Sequence, residues 1–250
     1  KNQLVDDSSR TTTTTSSSSG GGGGSGGSKT KSDRMKNVMS NSSNETKMSG
    51  NMSLEMKRLK PRNLLGGVRV PEDCPTINEA YARIEQSKGA LTTIVLGPGD
   101  HVVKGGYLNI KCPVNIVGSR DVLDKSKIVV VGGFKITANG VHVEHLTIRH
   151  KKGHGVYGES SCTLTDLMID QCNGCGVLAE GSDAVLNCTN IMVSKCIYSG
   201  VGACEGGTII LRGNRTQITD NCLKGSSASY GLNVSGSSSK IQIVKPLTKE

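Results

Sequence analysis

The chain has 250 residues, 30 Lys and Arg against 21 Asp and Glu, and few rings: no Trp, one Phe and five Tyr. Aromatic cages, stacking platforms for bases and membrane-interface belts need rings that this composition lacks, and no apolar run reaches the roughly 18 residues of a membrane-spanning helix. The net charge of +9 divides into +6 over residues 1–66 (11 basic, 5 acidic) and +3 over residues 67–250 (19 and 16), so the basicity is not a nucleic-acid footprint of the second part.

Three homopolymeric blocks, Thr11 to Thr15, Ser16 to Ser19 and Gly20 to Gly24, precede a Ser, Asn, Lys and Met-rich stretch to Gly50. Such composition cannot bury enough apolar area to offset chain entropy. Residues 1–66 are therefore expected to be a disordered low-complexity tail, ending in a short basic linker, Leu54 to Leu65, that Pro61 interrupts. Residues 67–250 are expected to form one folded domain.

That domain opens at Val68. Thr76 and Glu79 have capping-box spacing, and Ile77, Ala80, Tyr81 and Ile84 follow at i, i+3, i+4 and i+7, which predicts a helix of about three turns ending near Lys88-Gly89. Thr93-Ile94-Val95-Leu96 predicts a strand, stopped by Gly97-Pro98-Gly99.

Beyond it, short Ile, Val and Leu runs alternate with Gly, without helical periodicity. Ile148-Arg-His-Lys151-Lys-Gly-His154-Gly155-Val156 aligns with Ile169-Asp-Gln-Cys172-Asn-Gly-Cys175-Gly176-Val177 and with Val193-Ser-Lys-Cys196-Ile-Tyr-Ser199-Gly200-Val201. Ile218 and Ile243 continue the series, with Asn221 or Cys222 near the cysteine position. The steps of 21, 24, 25 and 25 residues are the length of one solenoid rung made of very short strands and Gly turns. The Leu spacing of leucine-rich repeats is absent. Parallel strands stacked rung on rung remain, with Ile, Val and Leu in a narrow core that leaves little room for rings.

The stretch from Val70-Pro71 through Pro75-Thr76-Ile77, Ala80 and Thr93 to Gly99 resembles the amino-terminal cap and first rung of right-handed parallel β-helix domains of the pectin-lyase-like superfamily. The Cys and Gly-rich rungs are most similar to the carbohydrate-binding and sugar-hydrolase type repeats found in some F-box proteins and signalling adaptors. The resemblance spans residues 68–250. It implies an all-β, right-handed parallel β-helix with a short capping helix; the final segment, Ile241 to Leu247, carries no evident cap, so the last rung is expected to be open or truncated. It leaves activity open, because the superfamily mixes lyases, hydrolases, esterases and non-catalytic recognition domains.

Gly153-His154-Gly155 resembles an element of the polygalacturonase branch, but the repeat puts Cys175 and Ser199 at the His154 position and no partner carboxylates accompany it. His142-Val143-Glu144 followed by Cys172-Asn-Gly-Cys175 approaches a zinc deaminase signature, but Gln171 stands where that signature has Pro and Cys196 repeats Cys172. Neither is taken as a site; no catalytic residue and no metal ligand are assigned. By strand alternation His142, Glu144, His145, Thr147 and Arg149 are expected to face solvent.

Glu159, Glu180 and Glu205 each follow the repeated Gly-Val and are the candidate ligand-binding residues. Stacked at the strand spacing, these carboxylates would repel unless a hydroxyl-rich ligand or calcium bridged them. The nine cysteines, at 74, 112, 162, 172, 175, 188, 196, 204 and 222, read as buried reduced thiols and favour an intracellular setting. Six N-glycosylation triplets, at Asn41, Asn44, Asn51, Asn187, Asn214 and Asn233, are read as chance matches in an Asn, Ser and Thr-rich chain. The function expected is a non-catalytic recognition or scaffold module for a protein or glycan partner. The alternative is a carbohydrate-active lyase or hydrolase acting on an acidic polysaccharide, which would gather a Lys or Arg and two carboxylates on one exposed face.

Overall fold

The structure, a computed structural model, describes residues 67–224 and 229–247; the expected tail and linker over residues 1–66 lie outside them. The described residues form an all-β parallel solenoid of about six turns with one short α-helix.

Strand Gly67–Val70 leads into the helix Ile77–Gln86. Thr76 caps it at φ −137°, its Oγ1 accepting the Glu79 N–H at 3.2 Å, as the spacing predicts. Ile77, Ala80, Tyr81 and Ile84 are buried on one stripe against the entry strand and the first coil. The Tyr81 hydroxyl accepts the Lys111 N–H at 2.7 Å, which fastens helix to coil.

Each coil visits three faces. The first face stacks Thr93–Leu96, Asn115–Gly118, Val141–Glu144, Cys162–Thr165, Val185–Thr189 and Thr208–Arg212 from coils 1 to 6, with Gly67–Val70 before them and Lys240–Ile243 after. In coils 1 and 2 the long strands Gly99–Ile110 and Ile128–Ile136 cover both remaining faces, with a register slip between Val102 and Tyr107. From coil 3 the corner opens. The second face continues through Thr147–Arg149, Met168–Asp170, Met192–Ser194 and Gln217–Thr219, and the third through Val156–Gly158, Val177–Glu180, Val201–Cys204 and Leu232–Val234.

All pairings are parallel and, apart from the slip between the two long strands, in register, so each inward position becomes a line of like side chains along the axis. On the first face Val68, Ile94, Ile116, Val143, Leu164, Cys188 and Leu211 succeed one another and all are buried. On the third face the line runs Leu108, Phe134, Val156, Val177 and Val201, with the chain's one Phe fully buried in coil 2.

The corner between second and third faces explains the repeated Gly. Gln171, Lys195 and Asp220 take left-handed φ of 57°, 54° and 52°, and the residue after each folds inward. Cys172, Cys196 and Asn221 thereby crowd the space where a Cβ on Gly155, Gly176 or Gly200 would lie, as His150 does at Gly133. His150 Nδ1 donates to the His154 carbonyl at 2.7 Å; Asn221 accepts the Cys196 N–H at 3.1 Å and donates to the Val193 carbonyl at 3.0 Å. The cysteine position is thus filled by Asn221 rather than Cys222. In coil 3 it is filled by His150 rather than Lys151, because no left-handed residue precedes it there.

The expectation of an exposed polar face fails at two residues. Thr147 points outward yet is fully buried, since the loop of residues 119–127 folds over it and its hydroxyl donates to the Lys125 carbonyl at 2.9 Å. His145 is not in a strand; it turns the corner at φ 54° and is held by two hydrogen bonds.

A Cβ on Gly155 would stand 2.7 Å from Ile169 Cγ2 and the Gly176 oxygen and 3.0 Å from Cys172 Sγ, whereas one on Gly231 would meet nothing within 4 Å. Urea denaturation of Gly155→Ala is expected to show a loss of about 1–3 kcal/mol, and Gly231→Ala a change within about 0.5 kcal/mol. Equal losses would contradict the corner packing.

Candidate functional site

Outward positions on the third face also form lines. Asn109, Lys135, Tyr157, Leu178, Gly202 and Asn233 occupy one of them, coil by coil. At its centre Lys135 Nζ lies 2.9 Å from Glu159 Oε1 and 5.0 Å from the centroid of the Tyr157 ring. The Tyr157 phenol interacts electrostatically with both Glu159 and Glu180. His154 adds a second ring, 5.8 Å from that of Tyr157.

The electrostatics of this group are one-sided. Burial and then the two carboxylates push the Tyr157 phenol far above its usual value, so it remains a donor. The Lys135 ammonium, helped by the Tyr157 hydroxyl, holds Glu159 below the ordinary carboxylate range. Glu159 is therefore a fixed anion and not a reservoir of acid protons.

The three expected glutamates meet in one place but not in one line. Gly158 pairs with Ala179, which sets Glu159 beside Glu180 in the next coil; Glu180 pairs with Cys204. Glu205 falls one residue further, at a corner with φ 52°, because coil 5 has one more residue between its Gly-Val and its glutamate. With Gly181, Ser182 and Asp183 the three line an open groove of about 320 Å³. Lys135 and Tyr157 were missed in the sequence. They were detectable by setting Phe134-Lys135-Ile136 on Val156-Tyr157-Gly158, since both central residues alternate outward.

The two motif likenesses resolve into structure. His154 Nδ1 accepts the Cys175 N–H at 2.9 Å and its backbone N–H donates to the Tyr107 hydroxyl at 2.7 Å, so it ties coil 3 to coils 1 and 4; burial and His150 lower its pKa. His142 pairs with Glu144 at 3.1 Å on the first face, while Cys172 and Cys175 sit at the corner before the third. Among the described residues no group of three or more His, Cys, Asp or Glu is arranged to hold a metal ion.

A second polar cluster joins the loop of residues 119–127 to the corner after the first face. Asp166 receives Lys125 at 2.9 Å, His145 Nδ1 at 2.8 Å and Arg215 at 3.6 Å, and His145 Nε2 reaches the Val122 carbonyl at 2.7 Å. Both ring nitrogens of His145 thus face oxygens that only accept, an arrangement that the imidazolium alone satisfies. Burial disfavours that charge, but Asp166 and Val122 outweigh it and raise the pKa. Burial likewise disfavours the Asp166 anion, and His145 and Lys125 outweigh it and lower that pKa. The cluster borders a cavity of about 210 Å³ lined by Val117, Gly118, Arg120, Leu123, Glu144 and His145.

No family model, no curated protein and no solved structure matches the chain.

The sign of the pH dependence follows from the two shifts. A histidine with a raised folded pKa stabilises fully below 6.5 and loses that contribution as pH rises through the folded value; a depressed Asp stabilises fully above 3.8 and loses it as pH falls. The cluster should therefore contribute fully between pH 3.8 and 6.5. Melting temperature against pH is expected to fall above 6.5 more steeply in the natural chain than in Asp166→Asn; parallel profiles would contradict the assignment.

Proposed function

We propose that residues 67–250 act as a non-catalytic recognition module of the pectin-lyase-like kind, binding a hydroxyl-rich glycan on the third face. The observation that carries this reading is Tyr157 flanked by Lys135, Glu159 and Glu180 on three successive coils. A sugar ring offers an apolar face to a phenol ring and hydroxyls that donate to carboxylates and accept from an ammonium. The groups are held by the stack before ligand arrives, so little ordering accompanies binding. Glu205, which lines the same groove, extends the acidic margin.

One observation favours the alternative, a lyase or hydrolase acting on an acidic polysaccharide. Two carboxylates and a Lys do gather on one exposed face, as such chemistry needs. Weighing against it, Glu159 is held ionised by Lys135, while a glycosidase keeps one carboxyl protonated as its acid.

A glycan array on the full chain, run with and without calcium and paired with an acidic-polysaccharide turnover assay, tests both. Binding is expected without turnover, and Tyr157→Ala or Glu180→Ala should weaken it about tenfold or more, while Thr163→Ala on the first face leaves it unchanged. Absence of glycan binding would refute the proposal, and turnover lost in Glu180→Gln would establish the enzyme reading.

A further inference from the structure

We propose that Cys172 and Cys196 are a redox-active pair, a latent disulfide that a peroxide-class oxidant closes between coils 4 and 5. All nine cysteines are free thiols in the structure. Ile169 pairs with Val193, and three residues later Cys172 and Cys196 take the same inward corner position in successive coils. Among the described residues this is the one pair of cysteines so placed. Cys162 and Cys188 are offset by two residues on the first face, Cys175 is succeeded by Ser199, and Cys204 is paired with Glu180.

The occupants of the corner make the choice of cysteine informative. His150 and Asn221, at its two ends, bind neighbouring backbone through hydrogen bonds of 2.7 to 3.1 Å. As donors, the two cysteines between them make long S–H contacts, 3.9 Å from Cys172 to the Asp170 carbonyl and 3.5 Å from Cys196 to the Ser194 carbonyl. What they have in addition is each other: Cys172 Sγ lies 3.0 Å from the Cβ position of Gly155 and Cys196 Sγ 3.3 Å from that of Gly176, the same corner site one coil apart. Coils stacked at about 4.8 Å put paired backbone positions inside the Cα separation of about 4.4–6.8 Å that a disulfide spans.

The chemistry balances with the peroxide as electron acceptor. One thiol, as its thiolate, attacks a peroxide oxygen; the O–O bond breaks, an alcohol or water leaves, and a sulfenic acid forms. The second thiolate attacks that sulfur, the S–S bond forms, and hydroxide leaves and is protonated to water. Two thiols and one peroxide therefore give one disulfide, one water and one further water or alcohol. Both cysteines are buried, so the oxidant must be small and bulky alkylating reagents must be slow.

Hydrogen peroxide treatment of the reduced full chain, followed by denaturation, thiol counting and peptide mapping, tests the pair. The nine thiols should fall by two, and mapping should find Cys172 linked to Cys196. Cys196→Ser should abolish the loss of two thiols, and Cys175→Ala should keep the link, so a folding defect in one variant does not decide the result. Linkage of a different pair, thiols lost only to unlinked higher oxidation states, or a Cys172 to Cys196 link that forms only in urea would each overturn the proposal.

Discussion

In-register stacking of coils is the constraint from which the other features of this molecule follow. Each paired strand residue has the same position of the preceding coil below it and that of the next coil above it, at about 4.8 Å. An inward residue must therefore suit its own repeats. Val68, Ile94, Ile116, Val143, Leu164, Cys188 and Leu211 meet that condition, and so does the near absence of rings. The one Phe, Phe134, is accommodated in coil 2, where the second and third faces are still covered by a single long strand.

The same rule builds the third-face group. Lys135, Tyr157 and Glu180 are far apart in sequence yet belong to coils 2, 3 and 4, so stacking alone brings an ammonium, a phenol and a carboxylate together. The corners supply the rigidity. Left-handed residues turn the chain, a side chain folds inward over glycine, and the backbone of each coil is hydrogen-bonded to the next. A surface made in this way is firm before any ligand arrives, which suits recognition of an extended partner. It is also shallow and largely open, and its best-placed carboxylate is held as an anion; both features fit binding better than proton transfer.

Much of the fold was legible because the repeat is a direct trace of the stacking: the Gly-Val step, the branched residue seven positions before it and the capped helix at Thr76 lie where the residues imply, whereas Ile243, set after Ile218 by its spacing of 25, stacks instead on Leu211 of the first face. Insertions were harder to read. The extra left-handed residue that separates Ile169 from Cys172 has no counterpart before His150, so linear alignment set Lys151 at a position that His150 fills. The loop of residues 119–127 hides Thr147 and engages His145, and alternation along a strand carries no information about a loop from another coil. Of the site, the glutamates were visible as repeats, but the displacement of Glu205 depends on one added residue, and Lys135 and Tyr157 differ too much in type to be seen as one column.

Distances between spin labels along one outward column test the stacking most directly. With labels carried on noncanonical amino acids, so that the nine native thiols stay intact, Asn115 is paired in turn with Asn187, Ile210 and Gln242, which lie three, four and five coils away. The account predicts separations near 14, 19 and 24 Å, rising by about 4.8 Å per coil. Separations that do not rise by a constant step with coil number would contradict the in-register solenoid and everything built on it.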